Sequence, residues 1–104
     1  MKPAPMPKSV KVGVHTYSVL RKPASLLREQ LGECDFDALQ LSVRHRLRKS
    51  KAREILIHEI LHATTHPLMS DGKKHTDEDF VQVVAPVLLQ VIQDNPELLE
   101  YLTQ

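Results

Sequence analysis

Val10, Val12 and Val14 alternate with Lys11, Gly13 and His15, and Tyr17 and Val19 carry the period of two onward. An apolar residue at every second position turns one face of an extended chain toward a core, so residues 10–20 predict strand. Gly13 predicts a bulge, or a turn that divides this stretch into two short strands. Pro23 ends it. Leu26, Leu27 and Leu31 predict a short helix over 24–31, stopped by Gly32. The next four residues, Gly32-Glu33-Cys34-Asp35, read as a turn. Leu39, Leu41 and Val43 then alternate with Gln40, Ser42 and Arg44, which predicts a half-buried strand over 38–45.

After the basic run 46–49 the apolar period becomes helical. Ser50 is the expected N-cap of a helix over 51–65 that Pro67 stops. Residues 68–75 hold Ser70, Asp71, Gly72 and two lysines and predict a loop. Thr76 is expected to cap a second helix. Asp77, Glu78 and Asp79 fill its first turn, where the helix dipole favours negative charge, and Asp79 is placed to complete a capping box with Thr76. This helix is predicted to reach Gln93 with a bend at Pro86. Pro96, at a first helical position, starts a last short helix. Strands early and helices late predict an α+β fold: a small antiparallel or mixed N-terminal sheet, a buried middle helix and a C-terminal helix pair.

The length of 104 residues predicts one domain, expected over 9–104, after a loose arm of residues 1–8 that carries Pro3, Pro5 and Pro7. The formal net charge of +1 gives no bulk attraction to nucleic acid or to a membrane. The basic run from Arg44 to Arg53 reads as a solvated loop and helix start. No aromatic residues interleave with it for base stacking, so nucleic acid is not an expected partner. No stretch approaches the roughly 20 apolar residues of a membrane span, and Met1 to Pro7 lacks the apolar run of a secretory signal. The one cysteine, Cys34, excludes an internal disulfide and fits a reducing cytoplasm. It is expected to pack as a small apolar side chain.

The chemistry is concentrated at His58-Glu59-Ile60-Leu61-His62. Residues four apart on a helix stack on one face, about 6 Å apart along the axis, so two imidazoles can converge on one metal ion. Glu59 lies beside that face and can take a proton from a water whose pKa zinc lowers towards 7. The helical wheel adds to this. Ile55, Leu56, Ile57, Ile60, Leu61 and Ala63 spread around most of the circumference, which predicts a helix buried nearly all round. His58, Glu59 and His62 share the one polar sector, and a metal ion would satisfy all three.

A catalytic zinc takes three protein ligands and leaves one position open. The candidates for the third are His66, His75, Asp77, Glu78 and Asp79. His66 continues the four-residue series, but three such histidines span about 12 Å of axis unless Pro67 unwinds the turn. Asp79 falls in a polar sector with Gln82, Gln90 and Gln93. Asp77 and Glu78 lie on or beside the apolar side. Glu78 is the expected ligand, with Asp77 and His66 as alternatives.

Residues 57–63, taken with 76–86 and the ending Gln93-Asp94-Asn95-Pro96-Glu97-Leu98, resemble small phage and prophage proteins of the gluzincin type, grouped with the ImmA/IrrE-type metallopeptidases. The resemblance covers most of the chain after about Val10. It implies a minimal zincin-like fold, zinc as cofactor, His58, His62 and Glu78 as ligands and Glu59 as catalytic base. It also implies that the strand over 39–45 is an edge strand holding an extended peptide or protein substrate. The expected function is a zinc metallopeptidase of the cytoplasm. The alternative is a catalytically silent zinc-binding interaction module of phage or prophage origin.

Overall fold

A computed structural model describes residues 4–104. Four strands form one mixed sheet: β1 (Ser9–Val12), β2 (His15–Lys22), β3 (Gly32–Asp35) and β4 (Gln40–Arg44), in the spatial order β1-β2-β4-β3. Three helices follow, α1 (Lys49–Met69), α2 (Asp77–Asp94) and α3 (Pro96–Leu102). The fold is α+β, with the mixed sheet, motif helix and C-terminal helix pair expected from the periodicity.

β1 and β2 make an antiparallel hairpin with Val10 opposite Tyr17 and Val12 opposite His15. Gly13 resolves as the turn between them, at a φ of 63° that an L side chain rarely adopts. Val10 and Val12 are buried on one face, as the period of two requires, and Tyr17 joins them because it pairs with Val10. Val14, expected to continue the alternation, lies instead in the turn and is 88% exposed. Residues 1–3 of the expected arm lie outside the described residues. From Ala4 on the chain lies against the domain: Pro7 is buried, and the Lys8 carbonyl accepts from the Val19 amide at 2.9 Å.

Three expectations in the middle of the chain need correction. The helix over 24–31 is a single 3-10 turn, Ala24–Leu27, closed by Arg28 and Glu29 at φ 52° and 64°. Only Leu27 is buried there, so no apolar face supports a longer helix. Residues 32–35 are a strand rather than a turn. They supply the antiparallel ladder on β4, with Gly32 opposite Val43 and Cys34 opposite Leu41. The turn falls one step later, where Asp35 Oδ1 accepts from the amides of Asp37 and Ala38 at 3.1 and 2.9 Å. Consequently 39–45 is no edge strand. β4 is flanked by β2, parallel to it, and by β3, and its Leu41 and Val43 are fully buried. β3 is the edge.

The other edge of the sheet, β1, is closed by side chains from the end of α2. Asn95 exchanges bonds with the Lys11 backbone at 2.8 and 2.9 Å, and Gln90 Oε1 accepts from the Gly13 amide at 2.7 Å. This covers backbone groups that an edge strand would otherwise present.

α1 begins after Arg48 rather than after Ser50, and it continues through Pro67 to Met69. Pro67 removes a single ladder bond close to the helix end, where the Ser70 amide and hydroxyl already close the last turn on the His66 carbonyl. α2 starts as its sequence predicts. The Thr76 hydroxyl accepts from the Asp79 amide at 3.2 Å, and Asp79 Oδ2 accepts from the Thr76 amide at 2.7 Å. Pro96 stands at the start of α3. No helix among the described residues is long and apolar enough to cross a membrane.

Candidate active site

α1 packs Ala52, Ile55, Leu56, Ile60 and Ala63 against the sheet, and these side chains fix the rotation of the helix about its axis. That rotation decides where the motif residues point. Burial is one-sided: Glu59 is buried at 5% exposure, whereas His58, Leu61 and His62 are exposed. The expectation of a helix buried all round, with three enclosed polar groups, is therefore corrected. One layer of sheet and two further helices are too little structure to cover α1 on every side.

The two imidazoles meet. His58 Nε2 and His62 Nε2 are 3.1 Å apart, with the rings edge to face at 76°. Zinc–nitrogen bonds of about 2.0–2.1 Å in a tetrahedral shell hold two ligand nitrogens about 3.3 Å apart. The spacing present thus fits two donors of one ion. A hydrogen bond between one protonated and one unprotonated nitrogen fits the same distance.

Both imidazoles line a cleft of about 560 Å³ whose other wall is residues 29–34 with Phe36, and whose floor includes Ile55 and Glu59. Glu59 reaches this floor because residue 32 is glycine. A Cβ at position 32 would stand 2.9 Å from Glu59 Oε2, 2.6 Å from Ile55 Cγ2 and 2.9 Å from the Ser42 carbonyl oxygen. Among the described residues no side chain or amide hydrogen-bonds the Glu59 carboxylate. Burial pushes its pKa up, His58 and His62 pull it down, and Glu33 adds a smaller upward push. A carboxylate raised in this way and open to a cleft is suited to accept a proton.

Cys34 is half-buried in the same wall. Burial, and then the nearby Glu59 charge, push its thiol up to about 12, so it stays a neutral SH. Phe36 closes one side of the cleft and stacks on His66, with centroids 3.7 Å apart. Gly32, Glu33 and Phe36 were not among the residues singled out from sequence. The signal lay in a glycine that opens a four-residue strand too short to show alternation.

The expected ligands divide. His58, His62 and Glu59 come together, whereas Glu78 does not join them. Glu78 is exposed on the first turn of α2, where its Oε1 accepts from Gln82 Nε2 at 3.3 Å. Asp77 is likewise exposed. His66 is taken by Phe36, His75 bonds Asp71 at 2.8 Å, and Asp79 serves the cap. Among the described residues no three His, Cys, Asp or Glu side chains stand close enough to hold a metal ion. No known protein family, curated protein or solved structure matches the chain.

Proposed function

We propose that the protein is a zinc-dependent peptidase of a reducing cytoplasm, with His58 and His62 as metal ligands and Glu59 as the catalytic base. Glu78, which stands apart from the histidines in this structure, would be brought in from α2 as the third ligand when metal binds. The observation that carries this reading is the juxtaposition in one cleft of two imidazole nitrogens at 3.1 Å and a buried carboxylate, one residue from the first, that has no hydrogen-bond partner among the described residues. Zinc, when bound, would acidify the attacking water and polarise the carbonyl to be cut. Glu59 would take the proton from that water and pass it to the leaving amine. The free edge of β3 forms the cleft wall, so an extended peptide can add to it as a further strand and present its backbone to Glu59. That assigns to β3 the role expected of residues 39–45.

Metal analysis of the purified protein should give about one zinc per chain, lost in His58→Ala and in His62→Ala. Glu59→Gln should keep the zinc and lose hydrolysis of unstructured peptides. Wild-type protein without zinc would end this reading. A second reading, a silent zinc-binding module, is favoured by the separation of Glu78 from the histidines. It predicts zinc in the wild type with no peptide cut, and no effect of Glu59→Gln.

A further inference from the structure

We propose that the cleft selects a peptide carrying lysine or arginine, with Glu33 and Glu29 as the residues that read the cation. The proposal rests on the peptide-binding half of the function above, and it concerns recognition rather than the cut.

The geometry of the free edge comes first. The Arg44 amide bonds the Leu31 carbonyl at 2.9 Å, so Leu31 and Arg44 are a hydrogen-bonded antiparallel pair. Such pairs recur at every second residue, which makes Glu33 and Ser42 the next one. The backbone groups of Gly32 and Cys34 therefore point outward, away from β4, and can bond an added strand. The Cys34 side chain, and the direction a Cβ at Gly32 would take, belong to the face packed on α1, as the closeness of Ile55 and Glu59 to Gly32 shows. Glu33 belongs to the opposite face. A peptide residue placed across from Glu33 would bring its side chain directly beside that carboxylate, where opposite charges attract and like charges repel.

The charge of the wall comes second. Glu29, Glu33 and Glu59 line the cleft, and among the described residues no lysine or arginine does. Among the described residues neither Glu29 nor Glu33 is in a salt bridge. Arg44 shares the face of Glu33, one pair further along the ladder, and with Arg46 it lines a separate cavity of about 820 Å³, but among the described residues neither arginine is in a salt bridge with Glu33. Glu59, nine-tenths buried and with no hydrogen-bond partner among the described residues, opens into the cleft from the α1 face, opposite the face that carries Glu33. Glu29, the second of two successive positive-φ residues after Arg28, lines the cleft. The Glu33 carboxylate, in no salt bridge among the described residues, stands beside outward-facing strand backbone, and the two together match an extended, cationic segment.

The test uses the full wild-type protein and three fluorescein-labelled peptides with one Val/Thr/Ser frame and a central Lys, Gln or Glu. Binding is read by fluorescence anisotropy immediately after mixing, and cleavage of the same peptides by mass spectrometry. The Lys peptide should bind about fivefold more tightly than the Gln peptide, with the Glu peptide weakest. The preference should shrink in high salt and vanish in the Glu29→Gln/Glu33→Gln double variant. Equal affinities, no binding of any peptide, or a preference that survives the double substitution would overturn the proposal. A Lys preference without any cleavage would leave recognition standing and remove the peptidase reading. Cleavage of all three peptides alike would do the reverse.

Discussion

α1 and α2 are helices of similar length held in opposite ways. α1 buries seven residues, among them Leu56 at 0% and Ile60 at 1% exposure. α2 buries Val91 alone and leaves Val81 and Leu89 more than half exposed. Its ends are fixed by polar devices: the capping box at Thr76, and the Gln90 and Asn95 amides on β1. The contrast bears directly on the site. Two imidazoles and Glu59 are placed by close packing, which tolerates little displacement. The acidic first turn of α2, with Glu78, is placed by a cap and one flank of contacts. A ligand set drawn from both helices depends on the less firmly held one.

The largest test of this contrast is a pair of truncations. Leu56→Ala should cost about 2–5 kcal/mol in urea unfolding, because it opens a cavity between α1 and the sheet. Leu89→Ala should stay within about 0.5 kcal/mol, because most of that side chain is already in water. Similar losses from the two would show that α2 is packed as tightly as α1. Gly32→Ala comes next, at about 1–3 kcal/mol in the same experiment. Its Cβ must displace Ile55, Glu59 or the β4 backbone. Glu59→Gln should act in the other direction. The folded protein without metal confines a carboxylate that has no hydrogen bond among the described residues, so the neutral amide should raise stability at neutral pH by about 1 kcal/mol. A loss of stability instead would mean that the carboxylate has a partner that compensates its burial.

How much of this could be read from sequence follows the same division. The strand alternation at Val10 and Val12 and at Tyr17, the capping box at Thr76 and the four-residue spacing of His58 and His62 are local patterns that stand in the structure where the sequence put them, whereas Val14 falls in the turn and is exposed. β3 was illegible because a four-residue strand containing Gly, Glu and Asp has no propensity of its own; pairing with β4 makes it extended. The edge position was misassigned for that reason, since β4 is an edge only if β3 does not exist. The exposure of His58 and His62 was misjudged because a helical wheel records the sides of α1 that are apolar, and Leu61, though apolar, is 40% exposed. Whether Glu78 reaches the histidines depends on the packing of α2, which no local pattern encodes.

The smallest effect lies at the cap of α2. Thr76→Ala should cost roughly 0.5–1 kcal/mol by freeing the Asp79 amide. The Thr76 amide, and then its hydroxyl hydrogen bond, hold the Asp79 carboxyl below its ordinary range. A depressed carboxylate stabilises the fold above the ordinary aspartate pKa of about 3.9, and that contribution disappears as pH falls through the lowered folded value. Amide exchange in the first turn of α2, corrected for the intrinsic rate at each pH, should therefore speed up on acidification in the wild type. It should already be fast, and less sensitive to acid, in Asp79→Asn. Asp71, also held low by the Lys73 amide and then by His75, titrates in the same acid range, so Asp71→Asn serves as the control. If the acid response persists in Asp79→Asn and is lost in Asp71→Asn, then the loop before Thr76, rather than the capping box, fixes the acidic turn.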